Sequence, residues 1–465
     1  MEIFKEKLFW VILAVSALIV AFFSLSVLWS EYILFALIII LALIILSFKP
    51  EIGIYAIAFL YPFTYFEFVY KDIDIPYVDF MALILFAAWM FRVIYLYLDK
   101  GKKLSFKNFP GLFFMSLFVI AAFLSLLNVD RENFGLALKY IFRPIIFFYL
   151  MYVILPFNII DNLKKLFTVF KIMFVLGIGL SLMGIWSIII TPAVQLKRAM
   201  PTSVLGIYPL GSNWNNLAEV LVCLIPIALI LFWYEKDIFL KSIYLIGAFL
   251  IAGVNLLTLS RAGWIGLAFE LLLLALLKYR KEAKNILVSY LPYFSLILLA
   301  PIIYLMYELF SQGVVARSDV NRLDLIELAF SLFKNHPLFG NGVGTFTIVL
   351  SQAKWYIIEY GTILDAHGFI FKTIAETGLF GALSFISLLI YISWVLLKVY
   401  LANKKSSYAF LILGAFLAVA GGIAFQLFNT SYFLAKMWLP IGLALTALKF
   451  TDNNFLRKNK IQDAK

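Results

Sequence analysis

At 465 residues, 64% hydrophobic, 18% aromatic and only 14% charged, the chain carries too little polar surface for a soluble globular protein. A net charge of +12 in so apolar a chain calls for no nucleic acid, because basic residues beside membrane spans face anionic lipid headgroups. Its lone cysteine, Cys223, sits inside an apolar run, which excludes an internal disulfide and argues against redox chemistry.

Apolar runs near 20 residues recur along the length, each long enough to cross a hydrocarbon core of about 30 Å as a helix. The runs are continuous rather than alternating, which favours helices over barrel strands. In chain order the predicted spans are 8–29, 31–48, 53–70, 77–98, 109–127, 135–155, 164–190, 216–234, 239–258, 261–278, 287–308, 379–400, 407–427 and 431–449. The fold class is therefore an all-α integral membrane protein of about 12–14 transmembrane helices. With no internal repeat or soluble domain, residues 1–465 read as one polytopic unit containing a large external loop at 309–366. The opening MEIFKEK and the apolar run behind it lack a small-residue cleavage site, so the first helix is expected to be retained.

Orientation follows from the short loops. With the N-terminus inside, 23 of the 38 Lys and Arg residues fall in cytoplasmic segments and nine in the opposite loops. Both termini are thus expected in the cytoplasm and the 309–366 segment outside.

The informative cations are those that break this sorting. Lys197 and Arg198 lie in the external loop 191–215, and Arg261 lies in TLSRAGW at the external tip between two spans. Lys139 and Arg143, four apart on one helix face, sit one to two turns below the outer surface, as do Lys372 and Lys436. Charges below the headgroups are costly and usually face a protein interior or a wet cavity. Snorkelling of the charged head to the interface is the alternative for each. Several cations at one membrane level suit a lipid-linked diphosphate, whose phosphates rest at the interface and accept bidentate bonds from arginine.

Within the external segment, VARSDVNRLDLIELAFSLFKNHP (315–337) reads as an amphipathic helix. Ser318 or Asp319 is placed to cap it, and Pro337 to stop it. Arg317 and Arg322 on this helix are candidates for phosphate or sugar contact, though Asp319 can pair with Arg322. Gly340, Gly342 and Gly344 then permit a tight turn and match a phosphate cradle only weakly. The two histidines both fall here. His336 precedes a proline at a helix end, where capping or packing suits it. His367 opens an apolar segment with Asp365 before it and Glu376 after it; a neutral imidazole there can take a proton from a sugar hydroxyl while a carboxylate orients it. No metal cluster emerges from the ligand spacing.

SRAGW (260–264), the run from Arg317 to HPLFGNGVGTF (336–346), and HGFIFKTIAETGLFG (367–381) together resemble the O-antigen ligase and polymerase superfamily. The loop 198–219, an arginine followed by GSNWNNLAE, is similar to the same family, and the likeness spans about 198–385. The resemblance implies a GT-C-like, inverting glycosyltransferase that uses neither metal, cofactor nor nucleotide sugar. Its donor would be an undecaprenyl-diphosphate-linked glycan at the periplasmic face of the bacterial inner membrane. A ligase of this kind uses lipid A–core as acceptor, whereas a polymerase uses a second lipid-linked glycan. A protein-glycosylating ligase is a third variant. By the same resemblance His367 is the general base and Arg198 and Arg261 hold the diphosphate; the residue pattern read above adds Arg317, Arg322, Lys139, Arg143, Lys372 and Glu376 as candidate substrate contacts. The family often carries Asn after the histidine; here Gly368 takes that place. From another class, a lipid or solute transporter would use Glu270, which sits about 13 Å into its helix.

Overall fold

The computed structural model describes residues 30–70, 73–100, 109–192, 197–280, 314–353 and 368–451. Two predicted spans, 8–29 and 287–308, lie outside them. Seven of the described helices are long and apolar enough to cross a membrane, or eight if a bent pair is one span, and the protein is an all-α integral membrane protein.

The bent pair opens the described fold. Helix α1 (Ser30–Phe48) meets α2 (Pro50–Leu60) at 115°. Proline disfavours helical geometry at the residue before it, and Lys49 is indeed non-helical at φ −129°, ψ 69°. The expected span 53–70 is thereby corrected. α2 has only 11 residues, and Glu67–Tyr70 (β1) pairs antiparallel with Ile73–Pro76 (β2) in a small hairpin. Pro62 cannot continue a helix, and the aromatic FEFVY stretch suits a strand.

Helix α3 (Tyr77–Lys100) follows, then α4 (Leu112–Ser125) and α5 (Arg131–Ile159). Within α5, Ile141–Phe147 and Tyr149–Ile154 wind as π-helix around Pro144. This winding has a purpose. Arg143 and Tyr152 stand nine positions apart and would point to opposite sides of an α-helix; at about 4.4 residues per π turn they share a face. Both reach Asp79 on α3: Arg143 donates through Nη2 at 3.0 Å, and the Tyr152 hydroxyl at 2.5 Å. Asp79→Ala leaves both donors without an acceptor. Its expected cost is about 2–3 kcal/mol, seen as a lower Tm in detergent.

The remaining helices are α6 (Leu163–Ile190), α7 (Trp214–Tyr234), α8 (Ile238–Leu257), α9 (Arg261–Leu277), α10 (Val314–Asn335), α11 (Thr345–Gln352), α12 (Phe369–Ala402), α13 (Ala409–Gln426) and α14 (Ala435–Leu448). Helices α7 and α13 are buried along most of their length and form the centre. The tips of α7, α8, α9, α12, α13 and α14 near residues 214, 257, 261, 369, 426 and 435 gather at one end, called here the head.

The amphipathic helix is present as α10. Its Leu325, Ala329 and Leu332 are buried with Phe346, Leu350 and Ala375 of α11 and α12. Since α10 already runs from Val314, Ser318 and Asp319 lie inside it rather than capping it. The chain after Pro337 docks on α12 through a break in that helix. At Gly378 (φ 63°, ψ −166°) α12 loses its helical geometry, which frees two carbonyls and two N–H groups. Asn341 and Gly342 donate to the carbonyls of Ala375 and Glu376 (3.1 and 2.9 Å), while Leu379 and Phe380 donate to Pro337 and Leu338 (2.8 and 3.2 Å). The Asn341 side chain also bonds the Ala375 carbonyl at 2.9 Å.

Candidate functional site

The α8–α9 corner is tight. Leu259 takes the left-handed conformation at φ 55°, an uncommon and costly state for leucine. Ser260 then caps α9, accepting from the Gly263 N–H at 3.2 Å and donating to Asn215 Oδ1 at 2.7 Å. Arg261 is the first residue of the helix, half-buried, at the end where the helix dipole favours anions.

Arg198 comes to the same corner. The next residue, Ala199, donates its N–H to the Leu257 carbonyl at 2.8 Å, at the end of α8. The Arg198 guanidinium lies on the Trp214 ring, 3.3 Å from its centroid, a cation–π contact worth about 1–2 kcal/mol where partly desolvated. Burial pulls the guanidinium below its ordinary pKa, and its buried Nε has no hydrogen-bond partner. Since Trp214 is followed by Asn215, the partner of Ser260, two arginines from distant parts of the chain share one frame.

The end of α13, before the turn to α14, packs beside this corner. Phe425, at the end of α13, is buried with Ala218, Val222 and Ala262, the residue after Arg261. Five residues further on, Thr430 Oγ1 accepts from the Gly368 N–H at 3.0 Å. Gly368 holds φ 108°, and a Cβ there would meet the Leu427 carbonyl oxygen at 2.7 Å. Only glycine fits, which explains the absence of Asn at this position.

Residues 246–386 match the sequence model of the family described as O-Antigen ligase. The match supports a likeness of this part of the chain to the O-antigen ligase and polymerase superfamily. None of the curated proteins compared with the chain matches it. The segment matched to the O-antigen ligase family includes Arg261, Arg317, Arg322, His367, Lys372 and Glu376, while Lys139, Arg143 and Arg198 lie before it.

Those residues are not all gathered. His367, the expected base, and Asp365 lie outside the described residues; Gly368, beside His367, is fixed as above. Arg317 and Arg322 are on α10. Lys139 is exposed, and Arg143 is engaged by Asp79. Lys372 and Glu376 are both buried and pair with each other at 3.9 Å, so both charged heads are held inside the protein. Glu376 also accepts from the Phe346 N–H at 3.3 Å and the Tyr432 hydroxyl at 3.4 Å, and the Lys372 ammonium lies over the Phe433 ring at 4.7 Å. They tie α12 to α11 and to the turn. His336 is exposed, its carbonyl accepting from Gly340 N–H at 2.8 Å. The three glycines of the HPLFGNGVGTF run are packing positions. A Cβ would meet Glu376 backbone at 2.4 Å from Gly340, Val129 at 2.0 Å from Gly342 and the Tyr140 ring at 2.5 Å from Gly344.

Sequence reasoning passed over Trp214 as a support for Arg198, and Asn215 as the link to Ser260. Both stand in GSNWNNLAE, where an aromatic and an amide beside a displaced arginine were the available signal.

Proposed function

We propose that the protein is an O-antigen ligase, transferring a glycan from undecaprenyl diphosphate to lipid A–core. In this reading the head faces the periplasm, both termini are cytoplasmic, and the protein sits in the bacterial inner membrane. The observation that supports it best is the convergence of Arg198 and Arg261 beside the turn that anchors Gly368. Two arginine forks at a helix N-terminus suit a diphosphate. They hold it in the ground state and stabilise the charge that grows on it as the glycan departs. His367 takes the proton of the acceptor hydroxyl, whose oxygen attacks the anomeric carbon from the face opposite the diphosphate. Direct displacement inverts that carbon and calls for no metal. Arg317 and Arg322, on α10, are further candidate contacts to the glycan in this reading.

The decisive experiment incubates purified protein with undecaprenyl-diphosphate glycan and either lipid A–core or a second lipid-linked glycan. Glycan joined to lipid A–core supports the ligase; a lengthened lipid-linked product supports a polymerase. Neither product, with movement of intact lipid across liposomes, supports a transporter built around Glu270, whose carboxylate oxygens are buried without hydrogen-bond partners. Trp214→Ala is expected to raise the KM for donor by roughly three- to tenfold, because Arg198 loses the ring that orients it.

A further inference from the structure

Beneath the turn between α13 and α14 lies a second group of buried charges that the proposed reaction does not use. Glu219, about one helical turn below Asn215, is 3% exposed. Its Oε1 accepts from Gln426 Nε2 at 2.8 Å and from the Ser431 hydroxyl, and Gln426 Oε1 accepts from the Ser431 N–H at 2.8 Å. One carboxylate oxygen thus clasps both ends of the turn. Its other oxygen, Oε2, has no partner.

Lys436, in the first turn of α14, is 1% exposed and its ammonium has no hydrogen-bond acceptor. Its head lies 5.8 Å from the Tyr65 ring centroid. Lys436 and Glu219 line the same cavity, together with Cys223 and Gln426. The cavity measures about 10 Å³, room for about one water. A buried ammonium and a buried carboxylate oxygen, both unpartnered and on residues that line one such space, are each costly alone and compensate when bridged. Buried polar groups are almost always satisfied by protein or ordered water.

We propose that Glu219 and Lys436, bridged by one buried water, are positioning residues for the transfer reaction. They act through the turn. Glu219 fixes Gln426 and Ser431, Thr430 beside Ser431 holds the Gly368 N–H, and Phe425 at the other side packs with Ala262, the residue after Arg261. The charge pair therefore sets the separation between the start of α12 and the arginine corner. A displacement of about 1 Å in such a frame costs up to about 10²-fold in rate. This inference rests on the ligase reading for its catalytic consequence, but its structural half is measurable without catalysis.

The test uses full-length protein in detergent with Glu219→Gln, Lys436→Met and the double variant. Each single variant strands one buried charge; the double is neutral, a replacement that buried pairs often tolerate. The expected result is a kcat lowered about tenfold or more in each single variant, with the KM for donor within about threefold. Hydrogen–deuterium exchange should quicken in 427–434 and at Gly368 in the single variants. The double variant should recover both the rate and the protection. Single variants with unchanged kcat and exchange would overturn the proposal, as would a double variant no better than the worse single. If the unsubstituted protein transfers no glycan, the ligase reading fails, while the exchange pattern still decides whether the pair sets the turn.

Discussion

Arg261→Ala is expected to lower glycan transfer by two or more orders of magnitude while leaving the protein folded. The side chain is half-buried at a helix tip, and the cap that starts α9 is Ser260, so truncation beyond Cβ leaves the corner standing. In the proposed reaction, what is lost is a charge-assisted fork for the negative charge that grows as the diphosphate leaves. In a partly dry site one such donor is worth about 3–4 kcal/mol, or about 10²–10³ in kcat. Arg261→Lys should recover only part of it, since an ammonium keeps the charge and loses the bidentate geometry. His367→Ala should cost a similar factor by removing the acceptor's base. The measurements are kcat and KM for the lipid-linked donor, with Tm as the control for folding. An Arg261→Ala protein with full turnover would remove the arginine corner from the mechanism.

The helical membrane architecture was legible because lipid imposes a simple rule on sequence. A spanning segment must satisfy its own backbone bonds, so it shows as one unbroken apolar run. Span boundaries such as 164–190, predicted for the helix Leu163–Ile190, needed nothing more. The same rule misled at 53–70, where an apolar run folds as a short helix and a hairpin whose strands bond each other. Hydrophobicity alone does not distinguish these; the proline and the aromatic alternation do.

The candidate site was legible by residue type and less so by partnership. Arg198 and Arg261 stood out because they violate charge sorting, and the structure brings them to one corner. Arg143 stood out for the same reason, yet Asp79 engages it. That pairing depends on π winding around Pro144, a feature with no period that a sequence reader would test. Lys372 and Glu376, four apart, carried a local pairing signal and do pair. Glu219 and Lys436 carried none: they are far apart in the chain, and only the fold of α13 and α14 brings them to one cavity.

The second large effect concerns the break in α12. Gly378→Ala is expected to destabilise the protein by at least about 3 kcal/mol, through two costs that add. The first is conformational: φ 63° with ψ −166° belongs to a region essentially restricted to glycine. The second is steric, because a Cβ at 378 would stand 2.5 Å from the carbonyl carbon and oxygen of Leu338. Relief demands that α12 straighten or that the Pro337–Gly342 chain withdraw. Either movement breaks the four backbone hydrogen bonds that seat HPLFGNG on AETGLFG. The expected signature is a lower Tm in detergent with faster hydrogen exchange confined first to 337–342 and 375–380. Gly253→Ala supplies the contrast. That glycine lies inside α8 with nothing within 4 Å of an added Cβ, so alanine there should leave stability unchanged or raise it by up to about 1 kcal/mol. Equal behaviour of the two variants would mean that the break in α12 does not hold the glycine-rich run in place.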